Sequence, residues 1–195
     1  PLLTVLLSRI FQFFASVLFA CHALTGIALA SWSVDDPSLN HATDQVAKNL
    51  LGYSGAAIAD ELMQLMGLGV LPWLAIPMAW VVRFLAHERP ERFFMAILSW
   101  IAASFLACGA FAMVPAPLSW SLAAGLGGNA GDLLSGGMLS VLALGLKGTF
   151  AIIFTGPFFS IGAVWFALPP TGLSTSDPPG PRGILCLCVA GRVAR

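Results

Sequence analysis

Four long stretches without a charged residue constrain this chain more than any other feature. Asp, Glu, Lys and Arg are all absent from 10–34, 62–82, 93–131 and 148–176. A helix needs roughly 20 apolar residues to cross the hydrocarbon core of a bilayer, and each stretch is long enough. Charged residues make up 9% of the chain, whereas a soluble domain carries about 25%. The sequence therefore predicts an all-α membrane protein with four transmembrane helices.

Prolines and an aromatic residue set the expected helix ends. The expected helices cover about 10–31, 62–82, 93–114 and 148–168. Trp32 suits the membrane interface after the first helix. Proline pairs at 115/117 and 169/170 are expected to stop the third and fourth helices, because proline lacks the N–H that continues a helix.

Two prolines inside the second expected helix, Pro72 and Pro77, predict a kink. Such a kink is tolerated in a membrane where a neighbouring helix satisfies the freed carbonyl. Further along, the glycine-rich stretch 123–137 predicts a loop or re-entrant turn. The start of the fourth helix stays open: it begins near Met138, or near Gly148 after an interfacial lead-in over 139–146.

The distribution of basic residues predicts the orientation. Lys48 is the single basic residue of 33–61, against five acidic ones. The other flanks are basic, with Arg9, Arg83, Arg89, Arg92, Arg182, Arg192 and Arg195. Basic loops stay on the cytoplasmic side, so both termini and the 83–92 link are expected in the cytoplasm. Residues 33–61 and the third connection would lie outside.

The expected domain organisation has three parts. Residues 1–9 form a cytoplasmic flank, 10–168 the four-helix domain, and 169–195 a tail rich in Pro, Gly and Ser. That composition is typical of a flexible linker. We interpret the tail as a truncated linker or the product of a disrupted reading frame.

The sequence contains no recognisable catalytic or cofactor motif. Net charge is +0, which gives no support for nucleic acid binding, and no Gly-x-x-x-x-Gly-Lys-Ser/Thr loop occurs. The four cysteines, at 21, 108, 186 and 188, are interpreted as free thiols. His22 is interpreted as a histidine bonded within the helix bundle rather than as a metal ligand. Lys147 is interpreted as a lysine that reaches the head groups. We therefore expect no enzyme activity, cofactor or metal in this chain.

Small residues four apart predict close helix contacts. The pairs are Gly26 and Ala30, Ala103 and Ala107, and Gly156 and Ser160. Small residues allow two backbones to approach, which favours helix bundling or oligomers.

The predicted outer loop is the most distinctive segment. Asp36 and Pro37 favour a turn, and Gly52 and Gly55 permit another before the second helix. Asp60 is interpreted as a cap of that helix.

At these residues the chain resembles the N-terminal membrane domain of the FtsK/SpoIIIE family of DNA translocases. Three short motifs carry the resemblance over about 10–168. They are Asp36-Pro37-Ser38, the spaced set Gly52, Gly55, Ala56, Ala59, Asp60, Leu62 with Gly67, and Phe154-Thr155-Gly156.

The resemblance implies a membrane anchor that targets a DNA translocase to the division septum of the bacterial inner membrane. It implies contact with the lipid bilayer and other division proteins, assembly with further copies into the hexamer of the full-length family, and no nucleic acid binding by this segment. ATP and magnesium belong to a motor that these residues do not include. The outer-loop residues Asp36, Pro37, Gly52, Gly55 and Asp60 are the expected partner surface.

Two other classes of membrane protein remain as alternatives. A small transporter or channel subunit would need a polar path through the bundle, and the sequence has no acidic residue inside the expected spans. A membrane sensor or enzyme subunit would use His22 as a ligand.

Overall fold

The computed structural model of the chain describes residues 2–85, 93–144 and 148–171. Helices are joined there by turns and loops, and these ranges contain no strand. The helices are α1 (Leu2–Ala30), α2 (Gly52–Met66), α3 (Val70–Leu85), α4 (Phe93–Ala112), α5 (Gly128–Ala143) and α6 (Gly148–Thr171). A 3-10 turn, Gly67–Gly69, joins α2 to α3.

Four helical segments of the described chain are long and apolar enough to span a membrane. They are Gln12–Ala30, Gly52–Leu85, Phe94–Ala112 and Phe150–Leu168. Large apolar side chains cover their outward faces, among them Phe13 on α1 and Trp165 on α6. An apolar exterior around helices whose backbone bonds are satisfied internally suits a lipid environment. The predicted fold class, an all-α membrane protein with four spans, is confirmed.

The first two spans belong to longer helices than expected. α1 begins at Leu2 rather than near residue 10, and α2 begins at Gly52 rather than at Leu62. An absence of charge marks only the part of a helix at hydrocarbon depth, whereas the helix itself continues through polar residues. The segment Gly52–Leu85 has 34 residues. At 1.5 Å per residue its length would be about 51 Å, well beyond the roughly 30 Å hydrocarbon core.

The glycine-rich stretch 123–137 was expected to form a loop or re-entrant turn. The structure differs, because α5 begins at Gly128 and includes the rest of the stretch. Gly127 and Gly131 lie against α4, where an added Cβ at either position would overlap the carbonyl oxygen of Cys108. These glycines therefore allow close packing of two helix backbones, as small residues do in membrane proteins generally.

The expected end of the last helix is also exceeded. α6 runs to Thr171, so the proline pair at 169/170 lies within its last turn. Proline removes a backbone donor, yet its fixed φ of about −65° is compatible with helical geometry. The chain therefore keeps its helical conformation past the two prolines.

The buried apolar residues form two clusters, and both include residues of α4. One cluster contains Met63, Met66, Val70, Cys108 and Ala130, and the other contains Ile76, Trp80, Ala96 and Ala103. α4 packs most extensively against α6 and α5.

Of the three small-residue pairs expected at helix contacts, the pair Ala103 and Ala107 is buried. Gly26 and Gly156 have nothing within 4 Å of an added Cβ. The close approach of α4 to α6 instead places Gly109 against the ring of Phe159.

The break between α2 and α3 is fixed by the start of α5. Gly67 has φ +52° and Gly128 has φ +64°, and the two backbones lie against each other. The Leu68 N–H donates to the Leu126 carbonyl at 2.8 Å. A side chain at Gly67 would overlap that carbonyl, so glycine is required there for both conformation and space.

The expected satisfaction of a proline-freed carbonyl by another helix is confirmed. Pro77 lies inside α3, and without its N–H the carbonyl of Trp73 loses its helical donor. The indole Nε1–H of Trp100 on α4 donates to that carbonyl at 3.0 Å. Pro72 differs from the expectation, because it lies in the first turn of α3, where helical N–H groups have no partner to lose.

Candidate functional site at the loop end of the bundle

Two loops meet at one end of the helix bundle. We call residues 31–51, between α1 and α2, loop A, and residues 113–127, between α4 and α5, loop B. Both contribute side chains to one cavity, together with α2 and the start of α5. This end contains the residues that the sequence predicts as a partner surface.

Asp36 fixes the fold of loop A from inside. Its carboxylate accepts hydrogen bonds from the backbone N–H groups of Lys48 and Asn49, each at 2.9 Å. The side chain is only 4% exposed. Asp36 therefore joins two segments of the loop that lie about a dozen residues apart in sequence. Its carboxylate is stabilised by the two backbone N–H donors.

Asn49 ties loop A to the end of α1. Its Nδ2 donates to the carbonyl of Ala28 at 2.7 Å and to that of Ser31 at 3.3 Å, while its Oδ1 accepts from the Leu51 N–H at 3.1 Å. The last carbonyls of a helix have no helical donor, so this asparagine caps α1. Sequence reasoning missed Asn49, because no local pattern distinguishes it from an exposed loop residue.

Gly52 and Gly55 serve the start of α2. Gly52 has φ +66° and its N–H donates to the Asn49 carbonyl at 2.9 Å, which matches the turn predicted there. Gly55 lies within α2, and an added Cβ would overlap the Asn49 side chain. The glycine thus leaves room for the asparagine that caps α1.

The turn at the Asp36-Pro37-Ser38 motif ends at Asp36, whose N–H donates to the Ser33 carbonyl at 3.2 Å, and Ser38 then pairs with His41. Its N–H donates to the His41 carbonyl at 3.0 Å, and its hydroxyl accepts from the His41 N–H at 3.1 Å. Ser38 is buried and Pro37 half-buried. The three-residue motif is therefore a structural element of loop A.

Asp60 is not a helix cap, contrary to expectation. Because α2 begins at Gly52, Asp60 lies in its third turn, 6% exposed. Oδ1 accepts from the Trp32 indole at 3.4 Å, and Oδ2 accepts from Gln64 Nε2 at 2.7 Å. Asp60 therefore connects loop A to α2 and reaches the wall of the cavity.

The five predicted partner-surface residues share one end of the bundle but not one exposed surface. Asp36, Gly55 and Asp60 are buried, and Pro37 and Gly52 are half-buried. Four apolar residues nearby, which the sequence did not point to, are exposed among polar ones: Leu39, Val46, Leu50 and Tyr53. The predicted residues thus form the scaffold that presents these four.

His22 bonds within its own helix rather than across the bundle. Its Nδ1 lies 2.9 Å from the Leu18 carbonyl, and its Nε2 is buried with no partner among the described residues. The ring packs toward Trp100 of α4, with 6.5 Å between the centroids. Cys21 and Cys108 are free thiols, as predicted. Lys147, Cys186 and Cys188 lie outside the described residues.

Four membrane-capable helices and a loop A closed by buried polar side chains define a multi-spanning membrane domain. Residues 8–169 match the family described as the 4TM region of DNA translocase FtsK/SpoIIIE. The chain belongs to this family.

Similar proteins carry the same name. The chain is 37% identical over 102 residues to DNA translocase FtsK of Agrobacterium fabrum, a match that covers 52% of this chain and 11% of the relative. The FtsK proteins of Bradyrhizobium diazoefficiens and Rhizobium meliloti are 39% and 38% identical over 92 and 103 residues. Those matches cover 47% and 53% of this chain but 11% and 12% of the relatives. No solved structure matches the chain significantly.

Proposed function

We propose that this chain anchors an FtsK-type DNA translocase in the bacterial inner membrane at the division septum, and so couples division to chromosome segregation. The observation that carries the proposal is the family match over 8–169, which coincides with four membrane-capable helices. The matched part covers 11% of the first relative. Because the sequence has no phosphate-binding loop, we propose that ATP and magnesium are bound by the motor of the full-length family rather than by these residues.

The proposed orientation places loops A and B outside and the end of α3 inside. Lys48 is the basic residue of loop A, which also contains Asp35, Asp36 and Asp44, whereas Arg83 lies in the last turn of α3. This asymmetry favours retention of the α3 end in the cytoplasm.

In this orientation loop A is the surface offered to other division proteins. Its exposed Leu39, Val46 and Leu50 are 72%, 90% and 76% accessible, and exposed apolar groups on an ordered scaffold are typical of protein contact sites. Copies of the chain would assemble side by side in the bilayer, as expected for a hexameric translocase, without contacting nucleic acid.

A localisation experiment tests the anchor function. A fluorescent protein fused after residue 168 should concentrate at the division site of dividing cells. A membrane dye in the same cells corrects for the doubled membrane there. A fusion signal that follows the dye uniformly around the cell would contradict septal anchoring.

A further inference from the structure

A polar cavity lies between loop A, loop B and α2. Its volume is about 520 Å³, and its polar lining includes Asp35, Asn40, His41, Asp60, Gln64 and Asn129. The volume falls within the roughly 300–1,000 Å³ range of pockets that hold small organic groups. The cavity is therefore large enough for a whole side chain of a partner.

The carboxylate of Asp60 has acceptor capacity left for a ligand. It accepts one bond from Trp32 and one from Gln64, and both donors are neutral. A carboxylate offers about four lone-pair sites, and a charge removed from water is costly unless it is paired. A cation in the cavity would therefore gain a buried partner.

The cation of loop A does not serve Asp60. Lys48 pairs with Asp35 at 3.6 Å, and both side chains are more than 60% exposed. Among the described residues, this is the ion pair at the loop end. It balances the charge of Asp35, whereas no described cationic side chain pairs with Asp60. A cleft with uncompensated negative charge attracts cations from solution.

A guanidinium group fits the lining better than a metal ion. No three His, Cys, Asp or Glu side chains of the described residues converge as metal ligands. Asn40, Gln64 and Asp60 instead line the cavity beside apolar Leu122. The Asn40 amide already donates to Glu61 at 2.6 Å and to Gln64 Oε1 at 3.4 Å, so the Asp60 carboxylate is the main acceptor left for a ligand. A planar group with five N–H donors suits several acceptors next to an apolar wall.

We propose that this cavity binds the guanidinium group of an arginine side chain from a partner polypeptide, with Asp60 as its principal acceptor. The proposal rests on the proposed function, which places partner proteins at this end of the bundle. An arginine buried in a desolvated pocket is a frequent centre of binding energy in protein interfaces.

Binding of a small probe to the full chain tests the proposal. The protein is held in phosphatidylcholine nanodiscs and titrated with N-acetyl-arginine-N-methylamide. The reporter is the indole Nε1–H resonance of Trp32, assigned with a Trp32→Phe variant, because this group donates to Asp60. We expect a saturable shift. The citrulline analogue, equal in shape but uncharged, should bind at least about tenfold more weakly.

Matched variants locate the binding group. Asp60→Asn should weaken binding by at least about tenfold, whereas Asp44→Asn, in loop A but outside the cavity lining, should leave it unchanged. Equal binding of arginine and citrulline, no saturable shift, or equal effects of the two variants would overturn the proposal. The citrulline comparison uses the unaltered chain, so it stands even if Asp60→Asn fails to fold. Septal localisation with no arginine binding would refute this inference alone, whereas arginine binding without localisation would refute the anchor function.

Discussion

At the scale of single residues, the loop end is organised by buried polar side chains. Asp36 and Asn49 are each 4% exposed, and together they satisfy backbone groups of loop A and of the α1 end. Buried backbone donors and acceptors need partners, since an unsatisfied one costs free energy. Loop A therefore turns Asp36 and Asn49 inward to meet these backbone groups, while other polar residues such as Asp35 and Lys48 stay at its surface.

Replacement of Asp36 should loosen loop A. Asp36→Ala leaves the buried N–H of Asn49 and the part-buried N–H of Lys48 without an acceptor, and we expect a loss of roughly 2–4 kcal/mol in the free energy of unfolding. Denaturation in mixed detergent micelles measures this loss. Asp35→Ala is the matched control, because it removes only an exposed ion pair, worth about 0–1 kcal/mol. Similar losses for the two variants would show that the Asp36 bonds do not stabilise the loop.

At the scale of helices, two irregular positions join the elements to one another. The freed Trp73 carbonyl of α3 is bound by Trp100 of α4, and the break after α2 is held by the backbone before α5. Interruptions in membrane helices persist where neighbours satisfy the exposed backbone. Each irregularity here is therefore also an interhelical contact.

The hydrogen bond between Trp100 and Trp73 should be coupled to Pro77. Trp100→Phe removes the donor, and Pro77→Ala supplies a backbone N–H that can take its place. We expect the cost of Trp100→Phe to be smaller by about 0.5–2 kcal/mol in the Pro77→Ala background. A double-mutant cycle of unfolding free energies measures this difference. Trp165→Phe, on the exposed face of α6, is a control that should show no coupling; additive effects at Trp100 and Pro77 would contradict the assignment.

Two glycines should respond in opposite ways to the same substitution. Gly67→Ala introduces a side chain at φ +52° against the Leu126 carbonyl, and we expect a loss of roughly 2–4 kcal/mol. Gly26→Ala places a methyl group in open space within α1, where alanine favours the helix by about 0.5–1 kcal/mol. Thermal unfolding in nanodiscs compares them. A Gly67→Ala protein as stable as Gly26→Ala would refute the proposed role of the α2–α3 break.

At the scale of the whole molecule, the number of spans is even. The chain therefore enters the first span and leaves the fourth on the same side of the membrane. The loop end contains the acidic cavity, and the opposite end contains Arg83. The domain thus has a chemically distinct surface in each compartment. The proposed anchor function, which would connect a cytoplasmic machine to partners across the membrane, requires this separation.

Reporter fusions should fix the orientation. Alkaline phosphatase is active only outside the cytoplasm, so a fusion after Asp44 in loop A should be active and a fusion after Thr171 inactive. A fluorescent protein at the same two positions serves as the reciprocal control, because it should report only the cytoplasmic site. The reverse pattern would overturn the orientation proposed from the basic residues.

The sequence by itself determined the membrane class, the number of spans and the family. These properties depend on apolar length and on short motifs, which can be read from consecutive residues such as 93–112 or Asp36-Pro37-Ser38. The prediction that a neighbouring helix would satisfy the carbonyl freed by proline was also correct, because an unpaired carbonyl is costly inside a membrane. The identity of that neighbour, Trp100, was not available from the sequence.

Only the tertiary structure decided which polar and glycine residues are buried. The partner-surface prediction selected Asp36, Gly55 and Asp60, which the structure places inside, and missed Asn49. Composition predicted a loop or re-entrant turn over 123–137, whereas α5 begins at Gly128 and its Gly131 packs against Cys108 of α4. The physical reason is the same in each case. A carboxylate or a glycine has one local chemistry, but whether it meets solvent, an amide or another backbone depends on residues distant in the chain.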